Sequence, residues 1–153
     1  MTGVVATAEV DINAGAQQVW SALTDPKKIA KYMMGAEVST DWRPGSAITW
    51  KGEYQGRSYE DKGEVVEFRP AKRLMVTHFS PLSGQPDEPS NYHTVVYDLA
   101  ERDGKTHLSL SQDNNASEEE AQHSASNWQM MLDGLKNMVE GSPRSKAAGT
   151  RAR

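Results

Sequence analysis

Residues 93–112 read HTVVYDLAERDGKTHLSLSQ, and their reading decides the fold. Two strand-like runs flank Asp103-Gly104, the strongest short signal for a two-residue hairpin turn. Such a turn pairs Arg102 with Lys105. Counting outward, Leu99 opposes Leu108, Tyr97 opposes Leu110, Val95 opposes Gln112 and His93 opposes Asn114. Opposed residues share a face. The face of Val95, Tyr97, Leu99, Leu108 and Leu110 is apolar and should meet a covering element. The other carries Thr94, Asp98, Ser109 and Ser111 and should meet water, with His107 among them as a solvated histidine.

The preceding apolar run, LMVTHFSP (74–81), pairs with the hairpin in turn. Leu74, Val76 and His78 then oppose Tyr97, Val95 and His93, provided that the intervening PLSGQPDEPS loop (81–90) does not slip the register. That pairing predicts His78 and His93 as inward-facing neighbours, with Cβ atoms roughly 4.5–5.5 Å apart.

The rest of the chain supplies the frame. VATAEVDIN (5–13) alternates as a half-buried strand. AGAQQVWSALTD follows with Val19, Trp20 and Leu23 at helical spacing. Asp25 can cap a second short helix, PKKIAKYM, whose first residue is Pro26. Short strands with turns at RPG (43–45), YQGRS and RPAKR come next. Trp50 shares a face with Ile48. The last element is a helix over 117–140. Ser117-x-x-Glu120 is a capping box, and Ala121, Ala125, Trp128, Leu132, Leu135 and Met138 or Val139 form one apolar stripe. The order is strand, two short helices, six strands, long helix. This is an α+β chain: a curved antiparallel sheet of about seven strands wrapped around the C-terminal helix.

Composition bounds the function. The 153 residues suggest a single domain over 1–140, ahead of GSPRSKAAGTRAR (141–153), which reads as a disordered basic tail. Net charge is −4, and −8 without the four basic residues of that tail, so neither nucleic acid nor an anionic membrane is the expected partner. There is no cysteine, hence no disulfide or thiolate chemistry. No secretory leader or membrane span is visible, and a cytoplasmic location follows as the default.

In this order, VWSALTDPKKIAKYM, RPGSAITW, GEVVEFRPAKRLMVTHFSP, NYHTVVYDL and NWQMMLDGLKNMVE resemble the activator of heat-shock-protein-90 ATPase homologue family. That family sits within the START-like, pollen-allergen-like helix-grip (SRPBCC) superfamily. The resemblance covers nearly everything up to about residue 140 and implies a cavity between sheet and helix. Relatives in the superfamily bind lipids, hormones or polyketides, and some are cyclases or hydrolases. The eukaryotic members that name the family act as co-chaperones with the help of a second, N-terminal domain, for which this chain has no room.

The expected function is therefore binding of a small hydrophobic or aromatic molecule rather than catalysis, with no cofactor. The expected lining is His78, His93, Tyr97, Trp50, Val76, Val95 and Gln112 from the sheet, with Trp128, Met131 and Leu132 from the helix. The alternatives are a cyclase- or hydrolase-type enzyme using His78 or His93 as acid–base residue, and a co-chaperone-like interaction module. Two histidines, with a carboxylate such as Glu64 as candidate third, fall short of a metal site. Paired strand histidines can also serve structure alone, by hydrogen bonding. The chain is expected as a monomer or homodimer.

Overall fold

The computed structural model describes residues 2–141. Seven strands form one antiparallel sheet: β1 (Val4–Ile12), β2 (Glu37–Thr40), β3 (Ala47–Tyr54), β4 (Arg57–Arg69), β5 (Arg73–His78), β6 (His93–Arg102) and β7 (Lys105–Asn115). Their order is β1-β7-β6-β5-β4-β3-β2. The chain meanders from β2 to β7, and β1 then closes on the last strand. Two short helices, α1 (Ala16–Thr24) and α2 (Pro26–Tyr32), link β1 to β2, and α3 (Glu118–Gly141) follows β7. This is the helix-grip architecture. The 81–90 connection contains two single 3-10 turns, Pro81–Ser83 and Pro89–Asn91. Gly141 ends α3, so residues 142–153 of the expected basic tail lie outside the described residues. Among the described residues, no helix is long and apolar enough to cross a membrane.

The hairpin fixes the sheet as its turn demands. Asp103 and Gly104 both have positive φ, 54° and 77°, as a type I′ turn requires. Arg102 pairs with Lys105, Leu99 with Leu108, Tyr97 with Leu110 and Val95 with Gln112. β5 continues that register through Leu74–Tyr97, Val76–Val95 and His78–His93. The inward residues Val95, Leu108 and Leu110 are essentially inaccessible. Each such side chain contributes about 1.5–3 kcal/mol of burial energy.

The helices follow local chemistry. Asp25 caps α2, its carboxylate accepting from the Lys27 N–H at 3.0 Å. Gly15, ahead of α1, has no side chain to cap with. Glu101 from the end of β6 takes over, accepting from the Ala16 N–H at 2.6 Å. At α3 the Glu120 N–H donates to Ser117 Oγ at 3.1 Å, and Glu120 reaches back to the Ala116 N–H at 2.9 Å. The stripe of α3 buries Ala121, Leu132 and Leu135, and the helix packs along β1. Its far end is tied to the β1–α1 turn by Glu140, which accepts from the Asn13 N–H at 2.6 Å and from Lys136 at 2.8 Å.

Candidate functional site

His78 ends β5 and His93 begins β6, so the register sets them side by side. Their ring centroids are 6.5 Å apart and the planes 29° from parallel. Their hydrogen bonds go elsewhere. His78 Nε2 lies 2.8 Å from Asp61 Oδ2, and His93 Nδ1 lies 2.8 Å from the Asp113 carbonyl. Both oxygens accept, so each contacting nitrogen carries a hydrogen, Nε2 in His78 and Nδ1 in His93. The outer atoms of the first pair are left over. His78 Nδ1 and Asp61 Oδ1 are buried without a hydrogen-bond partner among the described residues. Orphaned buried polar atoms are uncommon in folded proteins.

Asp61 arrives by strand geometry. It pairs with Trp50 across β3–β4, two residues before Gly63 and four before the buried Val65, on the same face. Gly63 is what brings β4 against β5. A Cβ there would fall 1.7 Å from the Thr77 carbonyl oxygen, so the two backbones could not lie this close with any other residue.

Around the pair lies a partly open chamber of about 60 Å³. Trp50, Tyr59, Tyr97 and Trp128 supply aromatic walls, and Met33, Val76 and Val95 supply aliphatic ones. The Trp50 ring meets the His78 ring edge-on at 5.0 Å. Trp128 is held by its indole N–H, which donates to Gln112 Oε1 at 2.8 Å. Burial pushes the Tyr97 phenol far above its usual range. Burial, and then the Asp61 charge, pushes Tyr59 up. A second void of about 30 Å³ shares Met33, Trp50, Val76 and Tyr97 with the chamber. Those shared side chains separate two compartments of one interior.

Of the residues expected to line a cavity, His78, Tyr97, Trp50, Val76, Val95 and Trp128 do border this chamber. Four others are placed differently. His93 borders a neighbouring polar cleft. Gln112 is 7% exposed and anchors Trp128 from outside the lining. Leu132 is fully buried in the core, and Met131 packs against that core from the helix. The expected His93–Asn114 pairing is corrected. Regular pairing of β6 with β7 stops at Val95–Gln112, and Asn114 turns into the left-handed region at φ 61°. Its amide instead donates to the Ser90 and Tyr92 carbonyls. Glu64 is exposed, and the carboxylate at His78 is Asp61. Sequence reading passed over Asp61 and Tyr59, and left Met33 out of the expected lining. Counting back by twos from the apolar Val65 marks the first two. At about 60 Å³, the chamber is also smaller than sites for drug-sized ligands, which start at roughly 300 Å³. Among the described residues, no group of three His, Asp or Glu side chains could hold a metal ion.

A family model described as "Activator of Hsp90 ATPase homolog 1-like protein" matches residues 13–140. Among solved structures, the chain is similar to a solution structure from Cytophaga hutchinsonii at 44% identity, with 92% of this chain and 96% of that one covered and a TM-score of 0.81. It is similar to CalU16 from Micromonospora echinospora at 26% identity, covering 88% and 73%, with a TM-score of 0.69. The solution structure of the Aha1 dimer from Colwellia psychrerythraea shares the fold at 20% identity, covering 90% and 97%, with a TM-score of 0.69. No match is found among curated proteins.

Proposed function

Because this chain belongs to the activator of Hsp90 ATPase homolog 1-like family, we propose that it uses the interior of its helix-grip fold to hold a small aromatic molecule carrying a hydrogen-bond donor. One observation carries the reading: the Asp61–His78 pair lies against aromatic walls with two buried acceptor atoms unpartnered. In the neutral ring, His78 Nδ1 offers a lone pair, as does Asp61 Oδ1. A phenolic hydroxyl or aromatic N–H would donate to one of them. Mostly apolar walls with a few placed polar groups are the usual design of a small-molecule site.

The volume limits how the ligand enters. An apolar cavity that accepts benzene measures about 150 Å³, more than twice the present chamber. Entry therefore requires a wall to move. Met33 separates the two compartments, and its unbranched thioether adapts at low cost. Its swing would merge them and uncover the polar pair.

Phenol and toluene, alike but for the hydroxyl, test this by amide chemical-shift titration. Phenol is expected to shift chamber residues at concentrations where toluene does not. Equal response to both, or no response at either, would refute the reading. A second reading, an interaction module of the co-chaperone kind, is favoured by the same small volume, since such a module needs no open interior. It predicts no chamber response to either probe.

A further inference from the structure

On the far side of the histidine pair, His93 borders a cleft of about 360 Å³ between the 81–92 segment and the start of α3. That volume falls in the range of small-molecule sites, roughly 300–1,000 Å³. Its chemistry is opposite to the chamber's. Apart from Ala116, the lining consists of amides, hydroxyls, one imidazole and one carboxylate.

The hydrogen-bond inventory shows what a ligand would meet. Asn91 donates its amide to the Pro86 carbonyl at 2.8 Å, and Asn114 donates its own to Ser90 and Tyr92. His93 uses Nδ1 on Asp113. Glu120 uses Oε2 on the Ala116 N–H. What remains accepts at the Asn91 and Asn114 side-chain oxygens, His93 Nε2 and Glu120 Oε1, and donates at the second Asn91 N–H and the Ser83 hydroxyl. Gln85 and Ser90 add donors. Among the described residues, no Lys or Arg is in the lining, and Glu118 and Glu119 stand beside Glu120 in the first turn of α3. Glu120 is the charged side chain facing the cleft, so a ligand's own charge should be positive, and its hydroxyls can both donate and accept.

The wall is also built in advance. Asp87 is paired with Lys62, and the Tyr92 hydroxyl donates to Asp87 at 2.6 Å. Tyr92 stacks on the buried Phe79 at 5.1 Å. A segment held at these points loses little freedom when a ligand arrives.

We propose that this cleft binds a hydroxylated amine of the amino-sugar class, its ammonium toward Glu120 and its hydroxyls toward Asn91, Asn114 and His93. The site is separate from the aromatic chamber and does not depend on that chamber's occupancy.

Three hexoses of one frame provide the test: glucosamine, glucose and glucuronate, titrated into the intact chain while amide shifts are followed. Glucosamine is expected to move the signals of residues 90–93 and 114–120, with glucose weaker and glucuronate inert. Glu120→Gln can still accept from the Ala116 N–H, so the capping box survives. It is expected to lower glucosamine affinity about tenfold, to the level of glucose. Gln85→Ala, on the exposed loop, is expected to weaken both sugars without changing the melting temperature. Glucuronate binding as tightly as glucosamine, or no cleft shift with any of the three, would overturn the proposal.

Discussion

Replacing both members of the Asp61–His78 pair should be far less damaging than replacing one. The carboxylate and imidazole side chains are 17% and 24% exposed, and the hydrogen bond between them is 2.8 Å long. His78→Phe leaves Asp61 with neither oxygen partnered, since Oδ1 already has none. A hydrogen bond to a charged group is worth about 1.5–3 kcal/mol, and the partial exposure favours the lower part of that range, so the loss is about 2 kcal/mol. Asp61→Leu strips both ring nitrogens of His78 in the same way and costs about 1.5 kcal/mol. The double variant removes both unmet polar atoms of the pair and offers apolar surface to Trp50 and Val76. Its stability should lie within about 0.5 kcal/mol of the parent, because apolar replacement of a buried pair is often neutral. The coupling is then about 3–4 kcal/mol, at or just above the upper end for residues in contact. Urea unfolding followed by circular dichroism measures all four corners of the cycle. At about 4 °C per kcal/mol, the His78→Phe melting point should fall by roughly 8 °C and recover in the double variant. Additive effects would refute the reasoning, for they would mean that the two side chains do not depend on each other. A recovered double variant that no longer distinguishes phenol from toluene would assign the pair to ligand recognition rather than to folding.

Other consequences are independent of that pair. Gly63→Ala places a methyl 1.7 Å from the Thr77 oxygen and must part β4 from β5. The reciprocal Lys62–Phe79 bonds and the Glu64–Thr77 bond go with it; at about 1 kcal/mol each, the cost is roughly 3 kcal/mol, readable as a lower urea midpoint. Met33→Ala joins the two compartments and should raise phenol affinity several-fold in the same shift titration. Since Met33 is only partly buried, it should cost about 1–2 kcal/mol, less than a full core deletion. Burial raises the Tyr97 phenol, and burial followed by Tyr97 raises Tyr32. A raised phenol favours the folded state while it stays neutral, so that stability is complete below about pH 10, where unfolded tyrosine ionises, and is lost above it. Tyrosinate absorbance should show these two tyrosines ionising only together with alkaline unfolding.

The hairpin and its neighbour were legible because Asp103-Gly104 admits one register, and each strand beyond inherits it. That inheritance carried His78 to His93 across a ten-residue loop. It failed at Asn114, where an asparagine able to adopt positive φ ends regular pairing, a choice that leaves no mark in the alternation of β7. Asp61 was hidden differently. β4 has 13 residues, mostly polar, with a bulge between Val65 and Glu67, so its period-two signal is weak and the nearer Glu64 drew the attention. Gly63, the residue that makes the approach possible, has no side chain to announce a face. The chamber's volume depends on how Met33, Trp50 and Trp128 pack against one another, which residue spacing does not record.

The central claim is that His78 Nδ1 is an acceptor waiting for a ligand's donor. Nitrogen-15 spectra of the histidine side chains read that atom directly. Phenol is expected to move the His78 Nδ1 resonance while toluene leaves it in place. If phenol saturates the amides around the chamber and the Nδ1 signal stays where it was, the pair is not the recognition element and the claim is wrong.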